Sequence, residues 1–121
     1  MYNPTYFSWT ETECKCNDFN CKLNIVEKLM MMLDKARGLA DIPFVINSGA
    51  RDMAHNRTIG GSATSSHILG KAVDIECRSS SDRMTMLSAL LETGFNRIGV
   101  ANNFIHVDID EEKPQNLMWT Y

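Results

Sequence analysis

The segment AVDIEC (residues 72–77) predicts a β-strand that carries a carboxylate, Asp74, between two β-branched residues. An aspartate in this position is costly to bury unless it meets a metal ion, an arginine or several N–H donors. A fold that buries the strand must therefore bring a partner to Asp74. This requirement constrains the chain more than any other feature of its sequence.

Histidines are the first candidates for that partner. The chain has three, His55, His67 and His106. His67 follows a segment rich in glycine, serine and threonine and precedes Asp74 by seven residues, while His106 lies within a predicted strand. Two imidazoles and one carboxylate suit a catalytic zinc ion, which keeps a fourth position open. The alternative is that each histidine is a hydrogen-bonded core residue.

A further carboxylate follows from strand periodicity. Residues two apart on a strand face the same side of a sheet, so His106 and Asp108 share a face. If His106 binds a metal, Asp108 points towards the same pocket. It is then either the general base or a hydrogen-bond partner of a ligand. Glu76, which shares a face with Asp74, is a weaker candidate.

Apolar residues recur at helical spacing in two segments. The first helix is predicted from residue 23 to about residue 40, with Gly38 as its stop. The second begins at a cap in residues 80–82, runs to about Glu92 and ends at Gly94. Its predicted inner side consists of Met84, Leu87, Leu90 and Leu91. A capping box at residues 8–11 (SWTE) predicts a short helical turn.

The other segments predict strands, one long loop and a tail. Strands are predicted at residues 43–47, 72–77, 97–100 and 104–109. Residues 52–66 predict a loop, and a loop of this length in a small domain is usually functional. From Pro114 onward a tail is expected to dock Leu117, Trp119 and Tyr121 on the core. The element order indicates an α+β domain with a small, mainly antiparallel sheet packed against helices.

Length and charge narrow the classes of function. The 121 residues fit one domain, residues 1–121, which we expect to be monomeric. The net charge is -3 and the basic residues are scattered, which argues against nucleic acid as a partner. No segment has the roughly 20 apolar residues of a membrane-spanning helix, so no membrane partner is expected.

Three of the four cysteines, Cys14, Cys16 and Cys21, lie close together, and Cys77 lies apart. Disulfides need an oxidising compartment. The N-terminal residues MYNPT lack the basic and apolar segments of a signal peptide, which speaks against one. The C-x-C-x4-C spacing is not a standard zinc motif. Free thiols are therefore the favoured prediction, with a structural metal site and disulfides as alternatives.

Several motifs together resemble one family. SHILGKAVD (residues 66–74) resembles the H-x-x-G-x-A-x-D signature of the M15 zinc D-Ala-D-Ala peptidases, which are relatives of the hedgehog signalling domain. INSGAR (46–51) resembles the family segment S-G-Y-R, and FIHVD (104–108) resembles its closing metal strand. His55-Asn56, Gly60-Gly61 and the Trp119-Tyr121 ending are similar to a phage-type branch. The resemblance covers residues from about 5 to 121.

The resemblance implies a hedgehog/DD-peptidase-like fold and a function. It assigns His67, Asp74 and His106 as ligands of one catalytic Zn²⁺. It implies that Arg51 pairs bidentately with a carboxylate of the substrate, and that Ser66 holds the loop or touches substrate. The implied substrate is the D-amino-acid-containing stem peptide of peptidoglycan, cleaved by a carboxypeptidase or by an endolysin-type endopeptidase. A phage or prophage product, made in the host cytoplasm and acting on the cell wall, is the expected source.

Two positions depart from the family pattern. Ala50 stands where tyrosine is usual, and Asn103 stands where many members carry an acidic base. The H-x-D form of some branches fits Asp108, which is therefore the predicted catalytic base. The departures also leave an alternative: a catalytically weak, zinc-containing module for cell-wall recognition, or a virion component.

Overall fold

The first helix, α1 (Glu27–Ala40), forms one side of the core in the computed structural model, which describes residues 1–18 and 20–121. Its apolar stripe is buried at Leu29, Met30, Leu33 and Ala36. The helix begins four residues later than predicted, because Val26 is extended and donates its N–H to the Gly70 carbonyl at 2.8 Å.

Gly38 does not end α1, contrary to the sequence prediction. The helix continues to Ala40, near the predicted end, and Asp41 then adopts a left-handed conformation at φ 55°. A Cβ atom at Gly38 would lie 3.1 Å from the Tyr6 ring. The glycine therefore gives the N-terminal segment room to pack against the helix.

The N-terminal segment forms the predicted capping box. Ser8 and Glu11 exchange the two reciprocal hydrogen bonds at a short 3-10 turn, Trp9–Glu11. Phe7 is buried in the core, and Trp9 packs against the core at its edge. This outcome confirms the helical turn that the sequence predicts.

The helix α3 (Ser80–Thr93) has the predicted extent but presents a different face. Ser79 is its N-cap and accepts from the Asp82 N–H at 3.1 Å, and Gly94 ends the helix at φ 111°. The predicted inner side is wrong at two positions, since Met84 and Leu91 are 71% and 52% exposed. The buried residues of α3 are Met86, Ala89 and Leu90. The helix α3 packs against α1.

Within the described residues, five strands form one sheet in the order β1-β2-β4-β3-β5. They are β1 (Ile46–Ser48), β2 (Ala72–Glu76), β3 (Arg97–Val100), β4 (Phe104–Asp108) and β5 (Leu117–Thr120). All neighbours are antiparallel except β3 and β5, which are parallel. The sheet and three helices confirm the predicted α+β class.

The strand predicted at residues 43–47 is found at Ile46–Ser48, and two segments form elements that the sequence does not predict. Residues 52–66 include a helix, α2 (Met53–Thr58), which is too short to show apolar periodicity and is capped by Asp52. The tail forms β5 instead of docking on the core. Its register pairs Ile98 with Met118, and Leu117 and Met118 stay 38% and 49% exposed. Among the described residues, no helix has the length and apolar character to cross a membrane.

Candidate metal centre

Asp74 and His106 meet because β2 and β4 pair antiparallel with these two residues opposite each other. The Asp74 Oδ1 atom lies 2.9 Å from His106 Nδ1 and 3.3 Å from His67 Nε2. One donor atom from each of the three residues lies within 4.8 Å of the others. The structure therefore brings the three residues of the predicted zinc site together.

Hydrogen bonds outside the cluster orient both imidazoles. His67 lies in the turn before β2, and its Nδ1 lies 2.7 Å from the Gly49 carbonyl. His106 Nε2 lies 2.8 Å from Asp108 Oδ2. Because a carbonyl and a carboxylate only accept, these two ring nitrogens are the N–H donors. The neutral form of each ring then turns a lone pair towards Asp74.

The charge balance shows why such a cluster suits a cation. Burial alone would raise the pKa of Asp74, but its contacts with His106 and His67 lower that pKa well below its ordinary value. Burial likewise disfavours protonated His106, but Asp108 and Asp74 together raise its pKa. An ionised carboxylate and two imidazole lone pairs converge on one point, so they need protons or a metal ion between them.

The donor set fits zinc. Zinc binds imidazole nitrogen and carboxylate oxygen at about 2 Å, and tetrahedral donors at that distance lie roughly 3.3 Å apart. The separations of 2.9 and 3.3 Å around Asp74 Oδ1 are close to this value. His67 and His106 also have the second-nitrogen hydrogen bonds that are usual for histidine ligands.

Asp108 lies behind His106 and belongs to a buried ion pair. Its Oδ1 accepts from Arg97 Nε at 2.6 Å, and only 1% of Asp108 is exposed. Burial would raise the pKa of Asp108, but His106 and Arg97 lower it. Sequence reasoning missed Arg97. The antiparallel pairing of β3 with β4, in which Ile98 lies opposite Val107, brings it next to Asp108.

A cleft of about 380 Å³ opens over this cluster. Three aromatic residues, Phe104, Trp119 and Tyr121, line it together with Lys113. The Trp119 ring lies 5.5 Å from the His106 ring and beneath Arg97, at 5.2 Å. Trp119 and Tyr121 reach the site because the tail adds β5 to the sheet, and the sequence contains no local signal for that pairing.

A model of the peptidase M15 family matches residues 5–108. This chain belongs to the peptidase M15 family. A search of curated proteins found no match. Peptidases of this family depend on zinc, and membership supports a metallopeptidase with a peptide substrate.

In this M15 chain, Arg51 lies beside the cluster. Its guanidinium donates to Ser48 Oγ at 3.0 Å and to Asn56 Oδ1 at 3.1 Å, and it lies 3.5 Å from Asp74 Oδ2. The short helix α2 supplies Asn56, which also donates to the Ser62 carbonyl at 2.9 Å. Arg51 therefore borders the cleft in a fixed orientation.

Ser66 is buried and takes part in loop contacts. Its hydroxyl donates to Asp110 Oδ2 at 2.7 Å and accepts from Lys113 Nζ at 3.0 Å. Its carbonyl accepts from the Lys71 N–H at 3.0 Å. Of the two predicted alternatives, these contacts favour holding the loop over touching substrate.

Three other polar residues lie apart from the cluster. Asn103 is exposed in the turn before β4, where its carbonyl accepts from the Cys77 N–H at 3.0 Å. His55 lies in α2, and Glu76 pairs with Arg78 at 3.0 Å. None of the three is among the described residues that line the cleft.

Proposed function

We propose that this chain is a zinc peptidase that hydrolyses D-amino-acid-containing peptides of bacterial peptidoglycan. His67, Asp74 and His106 would hold one catalytic Zn²⁺. One observation carries the proposal: Asp74 Oδ1 and the unprotonated ring nitrogens of His67 and His106 converge on one point. Hydrogen bonds to the other ring nitrogen orient each imidazole towards it. When bound, zinc polarises a peptide carbonyl and lowers the pKa of water towards about 7.

Arg51 would bind the carboxylate of the substrate peptide. A guanidinium has five N–H donors, and the contacts with Ser48, Asn56 and Asp74 engage one on each nitrogen. Two N–H groups are left for a ligand in the cleft. A carboxylate accepts two parallel hydrogen bonds from arginine, which would fix the peptide in one orientation.

The aromatic wall would hold the body of the peptide. Phe104 and Tyr121 pack with ring centroids 5.0 Å apart, and Trp119 continues the same wall towards His106. Such rings offer apolar contact area at low cost in side-chain entropy. Lys113, which donates to the Thr64 carbonyl at 2.7 Å, also lines the cleft.

The predicted role of Asp108 as general base stays a proposal. A base must reach the proton that it removes, and both Asp108 oxygens are already engaged, by His106 and by Arg97. These contacts support its other predicted role, as the group that orients His106. Among the described residues that line the cleft, Asp74 and Asp108 are the carboxylates, so Asp108 remains the base candidate outside the ligand set.

Because both oxygens of Asp108 already form hydrogen bonds, with His106 and with Arg97, a second candidate function is also favoured. A chain that keeps the metal but lacks an available base would recognise wall peptide and turn it over slowly. It would then be a zinc-containing recognition module or a virion component. Zinc bound at the cleft, together with peptide binding and no cleavage, would support this alternative over the peptidase.

We further propose that residues 1–121 act as one monomeric zinc peptidase domain. His55-Asn56 and Gly60-Gly61 support a phage or prophage source, with synthesis in the host cytoplasm and action on the cell wall. A Cβ atom at Gly61 would lie 2.1 Å from Asn56 Oδ1, so this motif keeps Asn56 in contact with Arg51.

The decisive experiment is mass analysis of the products released from purified peptidoglycan. We expect cleaved stem peptides with the zinc-loaded protein, none after chelation, and recovery on adding zinc. His67→Ala should lose the zinc ion held by His67, Asp74 and His106, and it should lose cleavage. His55→Ala, a matched control outside the cluster, should keep both. Unchanged cleavage by His67→Ala would refute the proposal, and the mass of the products would separate carboxypeptidase from endopeptidase action.

A further inference from the structure

A second cluster of metal-binding side chains lies outside the cleft. One donor atom each from Cys14, Cys16, Cys21 and Asp52 lies within 4.8 Å of the others. All three cysteines are free thiols and half-buried, and none of the four residues lines the cleft. The fourth cysteine, Cys77, is buried elsewhere.

Backbone contacts hold the cluster in place. The Cys14 N–H donates to the Leu23 carbonyl at 2.8 Å, and the Cys21 N–H donates to the Asp18 carbonyl at 3.0 Å. The Asp52 N–H donates to Cys14 Sγ at 3.3 Å. An N–H bond to sulfur is a usual outer contact of a metal thiolate, because it stabilises the negative charge.

Three sulfurs and one carboxylate match a closed metal site better than a disulfide. A disulfide joins two sulfurs and would leave one thiol and the carboxylate of Asp52 without a role in the cluster. Four donors complete a tetrahedral structural site, and thiolates select soft divalent ions such as zinc. Asp52 Oδ1 accepts from the His55 N–H at 2.6 Å, and a metal would need only one carboxylate oxygen.

We propose that Cys14, Cys16, Cys21 and Asp52 form a structural site for a divalent cation of the zinc class. The site is separate from the one at His67. The sequence favours free thiols, with a structural metal site as an alternative. The cysteine spacing is not a standard zinc motif, because the fourth proposed ligand, Asp52, comes from a distant segment.

The site would fasten the N-terminal loop to the segment that carries Arg51. The Ala50 N–H donates to the Thr12 carbonyl at 3.0 Å, and a Cβ atom at Gly49 would lie 2.2 Å from the same oxygen. The two segments are therefore already in contact on the side next to the cluster. Since Asp52 directly follows Arg51, metal bound there would restrict the backbone that positions the guanidinium.

Cobalt provides a readout that is independent of activity. Co²⁺ bound by thiolates gives an intense charge-transfer absorption in the near ultraviolet, which a site of histidine and aspartate does not. We expect this absorption when Co²⁺ is added to the reduced wild-type protein and to His67→Ala. Its absence from the wild-type protein would overturn the proposal without depending on the folding of any variant.

The number of zinc ions bound per chain, measured in the wild type and in variants, then shows which residues form each site. We expect about two zinc ions per chain in the wild type, and about one in His67→Ala or in Cys16→Ser/Cys21→Ser. Cys77→Ala, a control cysteine outside the cluster, should keep both. If Cys16→Ser/Cys21→Ser retains as much zinc as the wild type, or if mass analysis finds a disulfide among these cysteines in the zinc-loaded protein, the proposal is wrong.

Asp52→Asn separates ligation from helix capping. Asparagine caps a helix as well as aspartate does but lacks the anionic oxygen. We expect this variant to keep its folded structure and to bind the second ion at least tenfold more weakly, on the order of the losses seen when metal-site partners are removed. Unchanged affinity of the thiolate site in Asp52→Asn would exclude Asp52 as a ligand and so overturn the four-donor site.

Discussion

Asp108 Oδ2 lies 2.8 Å from His106 Nε2, so the carboxylate fixes which nitrogen of the imidazole faces Asp74. The same carboxylate is held from behind by Arg97, at 2.6 Å. Hydrogen bonds between Arg97 and Asp108 and between Asp108 and His106 thus connect the buried start of β3 with the candidate metal centre. It couples the proton position on His106 to an ion pair in the sheet.

The first prediction concerns Asp108→Asn. If Asp108 orients His106, the variant should bind zinc about 10–100-fold more weakly, because the ligand loses its carboxylate partner. If Asp108 is the general base, zinc affinity should change little and kcat should fall, by about 10²–10⁴-fold. Competition with a chelator measures the first quantity, and turnover at saturating zinc measures the second. Glu76→Gln, on the same sheet but outside the cleft, should change neither.

The second prediction concerns Arg51→Lys. Lysine keeps the charge but loses the fork that binds a carboxylate bidentately. A hydrogen bond to a charged group contributes about 1.5–3 kcal/mol, so KM for peptides with a free terminal carboxylate should rise roughly 10–100-fold. Peptides with an amidated terminus should show no comparable change. An equal rise for both peptides would mean that Arg51 supports Asp74 rather than the substrate.

The meeting of the three proposed metal ligands could be predicted from the sequence because local patterns place them. Asp74 and His106 each lie within a short apolar strand, and antiparallel pairing of those strands makes them neighbours. His67 follows from its position just before the first of these strands. The convergence of a second imidazole and a carboxylate on each histidine supports the metal site over the alternative of separate hydrogen-bonded core histidines.

Other parts of the site depend on long-range packing, which a single sequence does not display. The strand β5 pairs parallel to β3, and Trp119 reaches His106 only through that pairing. The face that α3 buries differs from the one that its own apolar pattern predicts, and α3 packs against α1. The ligand role proposed for Asp52 likewise depends on contact between segments that are 38 residues apart at Cys14 and Asp52.

The third prediction concerns Gly99→Ala. A Cβ atom at Gly99 would lie 2.5 Å from Trp119 Nε1 and 2.9 Å from the Tyr121 ring, so the aromatic wall must move. We expect a loss of about 1–3 kcal/mol in the free energy of unfolding, measured in urea, together with a higher KM. Trp119→Phe in the same chain should recover part of the lost stability but not the KM. Unchanged stability and KM in Gly99→Ala would show that the wall adjusts freely.

The buried Asp34 of α1 holds the N-terminal segment in place. Only 4% of the residue is exposed, and its carboxylate accepts from the Tyr2 hydroxyl and from the N–H groups of Thr5 and Tyr6, at 2.9 and 2.8 Å. Burial would raise the pKa of Asp34, but these hydrogen bonds lower it below its ordinary value. The ionised form is therefore the one that the fold stabilises.

The fourth prediction follows from the lowered pKa of Asp34. Because the folded pKa of Asp34 lies below the unfolded value of about 3.9, its contribution is complete above that pH and is lost as pH falls through the folded pKa. Asp34→Asn should lower the free energy of unfolding by about 1.5–3 kcal/mol near pH 7. The difference from wild type should shrink in acid, whereas Asp41→Asn, at an exposed helix end, should show neither effect. Urea unfolding between pH 7 and pH 3 measures both, and a pH-independent difference would mean that the Asp34 charge does not hold the N-terminal segment.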